Sequence, residues 1–281
     1  MDGPGGMAPP PPPPPPSGGG FRERSLGDIL SAAWNLYTKN AAQLIKIVAI
    51  VVIPLTLVQA ILLTTALKRT VGSIVINQQT GKVSIGNSGG FFRSLLIIGL
   101  TGLISAMISQ LLVGALTHGG AGSLLGRPVD VGKSFGYAFS RLAGLIGLAF
   151  LIGAVVFVGF ILLIVPGLIL MVFLAMAVPA FVVERKGIGE SMSRSWNLVS
   201  GSWWHTLGTI LVAAILAGIV NSILGSIGGS SFIGSWIFGS IGQILTAPFT
   251  ALVAIVLYVD LRVRREGLTA ETLARELDAT A

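Results

Sequence analysis

The sequence predicts an all-α integral membrane protein. It has six transmembrane helices, set out as three tandem units of a cytosolic amphipathic helix followed by a helical hairpin. Three observations carry this expectation. Only 10% of the 281 residues are charged, 53% are hydrophobic and the mean hydropathy is +0.86, whereas a soluble domain carries about 25% charged residues. Six apolar runs approach the length that the hydrocarbon core demands. A short segment also occurs three times, as Ser25–Leu36, as Asp130–Arg141 and as Gly187–Leu198. Aligning Gly27, Gly132 and Gly189 brings Trp34, Phe139 and Trp196 into register, with small Ala33, Ala138 and Ser195 just before them. A repeat of this kind reports architecture.

Residues 1–20 hold an unbroken run, Pro9 to Pro16, between Gly-rich flanks, and they lack the apolar core of a signal peptide. They read as a disordered cytosolic tail. The proline run itself forms a stiff rod of about 25 Å that can dock on a protein partner with an aromatic groove. Within each repeat the apolar residues fall at helical spacing: Leu26, Ile29, Leu30, Ala33 and Leu36 in the first, Ile188, Met192, Trp196 and Val199 in the last. Ser25 and Asp130 suit the N-cap, and Ser25 with Asp28 resembles a capping box. A short helix with one apolar face, a Trp and nearby cations fits the plane of a membrane interface, or packs on protein as a connector.

The membrane domain covers residues 21–265, with spans expected at 45–67, 94–116, 142–165, 168–183, 206–226 and 236–259. Pro54 is expected to kink the first. Between the first two spans, Ser73–Asn77 and Lys82–Ile85 alternate around Thr80-Gly81, which reads as a small β-hairpin. As one helix, residues 142–183 would reach about 63 Å, twice the hydrocarbon thickness, so the chain is expected to reverse at Pro166-Gly167. Residues 266–281 read as a cytosolic C-terminal tail, with a short helix over 269–277. Of the 18 Lys and Arg, all but Lys68, Arg69, Lys82 and Arg93 fall on the side that holds both termini and the three amphipathic helices. The positive-inside rule makes that side cytoplasmic. The pI near 10.3 is then a property of membrane topology, with anionic lipid as the counter-charge and no call for nucleic acid. There are no cysteines, hence no disulfide framework.

The Leu26-Gly-Asp28 opening with Trp34-Asn-Leu36, Pro54, Pro179-Ala-Phe-Val-Val-Glu184, and Ser193-Arg-Ser-Trp-Asn-Leu-Val-Ser-Gly201-Ser-Trp-Trp204 make a distinctive set. Pro248, Tyr258-Val-Asp-Leu-Arg262 and Arg265-Glu-Gly267 complete it. Over residues 21–267 the chain resembles the membrane domain found beside some bacterial glycerophosphoryl diester phosphodiesterases, and related stand-alone bacterial membrane proteins. In that family the phosphodiesterase chemistry belongs to a separate soluble barrel, whose His-Arg-Gly opening this chain lacks. The resemblance therefore implies a fold, a bacterial plasma membrane and a lipid-related setting, not an activity. The proline-rich tail is similar to that of actinobacterial relatives.

Candidate chemistry is sparse. His118 and His205 stand near span ends, outside any metal-ligand spacing, and read as interfacial, hydrogen-bonded side chains. No cofactor, metal or catalytic residue is expected. No Asp or Glu falls mid-membrane, which argues against ion-coupled transport. Gln59, Gln110, Asn221 and Gln243 are the intramembrane polar residues; they bond neighbouring spans or line a polar path. Small residues recur at Ala214, Gly218, Ser222 and Ser226, and a second four-residue ladder runs over Gly239, Gln243, Ala247 and Ala251, for close helix packing within one chain or in a homo-oligomer. Trp34, Phe139, Trp196, Trp203 and Trp204 are the expected interfacial anchors. Glu184, Arg194, Asp260 and Arg262 form the candidate cluster, read either as ion pairs clamping span ends or as a headgroup-phosphate site. The sequence thus points to a noncatalytic scaffold or lipid and envelope-homeostasis module. The alternatives are a transporter or channel for a lipid-like or small amphipathic solute and, last, a lipid-modifying enzyme built on His205 beside Glu184 or Asp260.

Overall fold

Apolar side chains without interruption favour helices whose backbone bonds are all internal, and helices dominate the structure. The computed structural model describes residues 21–72, 74–76, 83–85, 88–229 and 231–278. The Pro9–Pro16 rod and the Thr80-Gly81 turn lie outside these residues. The order is α1 (Leu26–Gly72), β1 (Ile74–Ile76), β2 (Val83–Ile85), α2 (Ser88–Leu124), α3 (Val131–Ser140), α4 (Leu142–Leu162), α5 (Ile164–Leu174), α6 (Ala177–Val183), α7 (Ile188–Val199), α8 (Trp203–Gly228), α9 (Phe232–Glu266) and α10 (Ala270–Asp278). Among the described residues, six helical stretches are long and apolar enough to cross a membrane, so the chain is a multi-pass membrane protein. The expected hairpin is present as an antiparallel ribbon pairing Ile74 with Ile85 and Ile76 with Val83.

Helix α9 is the central post. From Leu252 to Leu261 all but Ala254 are buried, and the helix packs on α1, α2 and α8. By contrast α4 turns Phe150, Phe157, Ile161 and Leu162 outward, with Phe150 78% exposed, as suits lipid rather than water.

The boundaries differ from the sequence expectation in instructive places. The first amphipathic helix and the first span form one helix, broken only where Asn40 leaves the helical region (φ −118°, ψ 15°); Pro54 keeps helical dihedrals. The reversal between spans three and four is at Leu163 (φ −167°, ψ 155°), not at Pro166-Gly167. Pro166 instead occupies the first turn of α5, where its missing N–H costs nothing. Gly167 serves the hairpin differently: a Cβ there would lie 2.5 Å from the Phe160 ring, and one on Gly159 would lie 3.0 Å from the Gly167 Cα. The expected fourth span is itself two helices, α5 and α6, parted at Ala175-Met176. Pro179 explains the break, since its ring clashes with the Ala175 carbonyl four residues back. The short helix expected over 269–277 is present as α10, and it seats Leu273 and Leu277 in the main core.

The three repeat segments share a burial pattern. Ala33, Ala138 and Ser195 have no exposed surface, while Trp34, Phe139 and Trp196 are 56%, 61% and 42% exposed. Ser25 caps α1 through its Asp28 bonds, and Asp130 accepts from the Lys133 N–H at 2.9 Å.

Candidate functional site

The charged cluster builds on the basic end of α9. Tyr258, one turn before Arg262, donates its hydroxyl to Glu184 at the end of α6. Arg194 of α7 bonds the same carboxylate through Nε at 2.8 Å and pairs with Glu266. Arg262 reaches Glu184 at 3.6 Å and makes a bidentate pair with Glu276 of α10 at 2.7 and 2.9 Å. Lys186 completes the group on Glu184 at 3.4 Å. Three carboxylates thus meet three cations, and Glu184 and Arg262 have side chains only 8% and 5% exposed. Burial opposes the charge on Arg194, but its bonds to Glu266 and Glu184 raise its pKa above the ordinary arginine value. With both guanidinium groups held by carboxylates, the geometry is that of a clamp joining α6, α7, α9 and α10.

Asp260 belongs to a second, separate group. It is fully buried and accepts from the Arg24 backbone N–H at 2.6 Å, from Arg264 Nε at 2.7 Å and from His205 Nε2 at 3.2 Å. It therefore ties the segment before α1 and the start of α8 to the end of α9. His205 stands on Asp260, with no contact to Glu184, and so has the hydrogen bond expected of it. His118 lacks one: its ring stacks on Tyr137 at 4.5 Å while Nδ1 is buried without a partner.

The aromatic anchors divide. Trp34, Phe139, Trp196 and Trp204 are exposed, whereas Trp203 is half-buried against the edge of Trp204 and leaves Nε1 without a partner. Trp196 also stacks on Phe173 at 4.1 Å.

Mid-bundle, a cavity of about 400 Å³ lies between α1, α2 and α9, lined by Thr56, Gln59, Ser105, Ser109 and Gln243. Thr56 joins Ser240 at 2.9 Å and accepts from Trp236 Nε1 at 3.1 Å. Gln110 and Asn221 are not part of this lining; Asn221 donates to Thr246 on α9 instead. Helices α8 and α9 approach at Asn221 and Gly242, where a Cβ would meet the amide oxygen at 2.4 Å. Gly218 and Gly239, one from each small-residue ladder, face open space.

A larger cavity, about 900 Å³, was not foreseen. It opens beside α3 and collects Arg127, Asp130, Lys133, Arg141 and Arg185, with His118 and Tyr137 in its wall. These residues come from three stretches of chain, and spacing in sequence gives no sign that they meet. The nearest signal was the charged repeat Asp130–Arg141, read only as a helix. Arg127 is paired with Asp278 at 2.7 Å, which lowers the Asp278 pKa. Tyr137 donates to the Val182 carbonyl at 2.7 Å, and burial pushes its hydroxyl pKa up.

No protein-family model and no solved structure matches the chain. It is 30% identical over 224 residues to the uncharacterized protein Rv2560 of Mycobacterium tuberculosis H37Rv, across 72% of this chain and 64% of that protein. The match therefore spans less than two thirds of the relative's length.

Proposed function

We propose that the chain is a noncatalytic module of the bacterial plasma membrane that acts on lipid, as a scaffold or in lipid and envelope homeostasis. In this reading three tandem units thread the bilayer in one orientation, with both termini and the amphipathic helices in the cytoplasm. The carrying observation is the aligned face of the repeats: an exposed aromatic at Trp34, Phe139 and Trp196, each next to a fully buried small residue and each on a helical segment that comes just before a span. Such helices lie in the headgroup layer with the ring at its apolar boundary. The likeness in sequence to the membrane domain beside glycerophosphoryl diester phosphodiesterases gives the same setting. The test is deletion of the gene in its host with measurement of plasma-membrane lipid composition and envelope permeability. The expected result is a changed composition or leakier envelope, restored by the intact chain. An unchanged membrane contradicts the reading.

A second reading, a transporter for a small amphipathic solute, rests on the polar cavity around Gln59 and Gln243. Solute flux into liposomes that drops in Gln59→Leu would select it.

A further inference from the structure

The cavity beside α3 differs from the two ion-pair groups in one respect that bears on ligands: its cations are not used up. Arg127 is tied to Asp278, but no carboxylate among the described residues forms an ion pair with Lys133, Arg141 or Arg185. Asp130, the one acid in the wall, turns an oxygen to the Lys133 backbone N–H as the cap of α3. Arg141 stands at the junction of α3 and α4 with its guanidinium over the Phe181 ring at 4.6 Å. One of its nitrogens makes a long bond, 3.4 Å, to the Lys186 carbonyl, while Nε is buried with no partner among the described residues. His118 Nδ1 is buried and unpartnered in the same wall. A buried donor without an acceptor, as at Arg141 Nε, is costly and rare, and with an unpartnered imidazole nitrogen in the same cation-rimmed wall it points to an anionic ligand.

The backbone at Arg185 points the same way. It is the one non-glycine residue with positive φ, 52°, among the described residues. That left-handed step lets neighbouring residues serve different sites: Glu184 enters the α9 clamp while Arg185 lines the cavity. Strain of this kind at a non-glycine residue is kept where the side chain is needed.

We propose that this cavity binds a phosphate group through Arg141, Arg185 and Lys133, with His118 as a further donor. The ligand is an anionic phospholipid headgroup or a free phosphate of the cytoplasm. Assigning it to a headgroup rests on the lipid reading above. Guanidinium offers paired donors to phosphate oxygens, lysine adds a mobile point charge, and the volume suits a headgroup-sized ligand. The neutral α9 clamp next door fixes α6 and α7, and so holds Arg185 in place.

The experiment uses the full chain in phosphatidylcholine nanodiscs, with and without phosphatidic acid. Native mass spectrometry counts the retained phosphatidic acid, and calorimetry titrates inorganic phosphate. Three variants are compared. Arg141→Gln removes the guanidinium whose Nε is buried. Arg185→Gly removes the other while suiting the left-handed backbone, so its fold is not put at risk. Lys39→Gln removes an equal charge from an exposed site outside the cavity. The expected result is about tenfold weaker retention in Arg141→Gln and Arg185→Gly, with Lys39→Gln like the parent chain. Inorganic phosphate that binds and displaces the lipid assigns the site to phosphate in general; lipid retention that phosphate does not disturb assigns it to the headgroup. Equal binding by the parent, Arg141→Gln and Arg185→Gly overturns the proposal, as does an equal loss in Lys39→Gln. If that happens while gene deletion still alters membrane lipids, the site fails and the functional reading stands.

Discussion

The hydroxyl of Ser195 sits where the fourth span loses its helix. It accepts from the Met176 N–H at 3.0 Å and donates to the Phe173 carbonyl at 2.6 Å, so one side chain of α7 satisfies both backbone groups freed by the break. In the other repeats this position is Ala33 and Ala138, which have no such break to mend. Ser195→Ala leaves both backbone groups buried and unpaired, and should cost about 1–3 kcal/mol in detergent unfolding. Ala33→Ser, the same exchange reversed at the equivalent buried position, gains no matching bond and should not stabilise. Glu184 makes a second residue-scale test, since it serves Tyr258, Arg194, Arg262 and Lys186 at once. Glu184→Gln leaves buried Arg262 short of a counter-charge and should lower stability by about 3 kcal/mol. Because Glu276 still holds Arg262 in that variant, Glu184→Gln with Glu276→Gln should lose more than the two single losses added together. Strict additivity would show that the clamp is a set of independent pairs.

Among the elements, the turn between α4 and α5 shows how close two spans can come. Gly167→Ala sets a methyl group 2.5 Å from the Phe160 ring and should cost about 1–3 kcal/mol through overpacking. Gly153→Ala, in α4 with nothing within 4 Å, should instead be neutral or stabilise by up to about 1 kcal/mol through helix propensity. The same two helices show what the sequence could and could not tell. Length forced a reversal within residues 142–183, because no single helix of that span fits a bilayer. Pro-Gly drew the eye as the turn, yet proline is equally at home just inside a helix start, and only the close packing of Gly159 on Gly167 puts the reversal at Leu163. The break at Ala175 was hidden for a related reason. Proline inside an apolar run signals a kink in general, while the serine that makes a full break affordable lies on α7. The amphipathic helices were legible because period and caps are local: Ser25, Asp28 and Asp130 bond as their spacing predicts.

At the level of the whole molecule, the charged residues near the end of α9 form two closed groups, while α3 and the turn before α7 keep a cavity of uncommitted cations. Sequence reasoning found Glu184, Arg194 and Arg262 as partners because span ends place them at one depth. It grouped Asp260 with them for the same reason and set His205 beside Glu184 or Asp260; depth alone does not tell that His205 takes Asp260, which also holds the Arg24 N–H. The cavity was illegible because Arg141 and Arg185 converge only through tertiary packing, and a count of cations on one side does not distinguish a paired charge from a free one. All of the functional reading depends on which side of the membrane that end faces. The chain has no cysteine, so single-cysteine labelling reports it without background. Gly189 on α7 and Gly225 near the far end of α8 are both exposed, with open space for a side chain. In intact cells a membrane-impermeant maleimide should label Gly225→Cys and leave Gly189→Cys unmodified until the membrane is opened. Labelling of Gly189→Cys from outside intact cells would contradict the account.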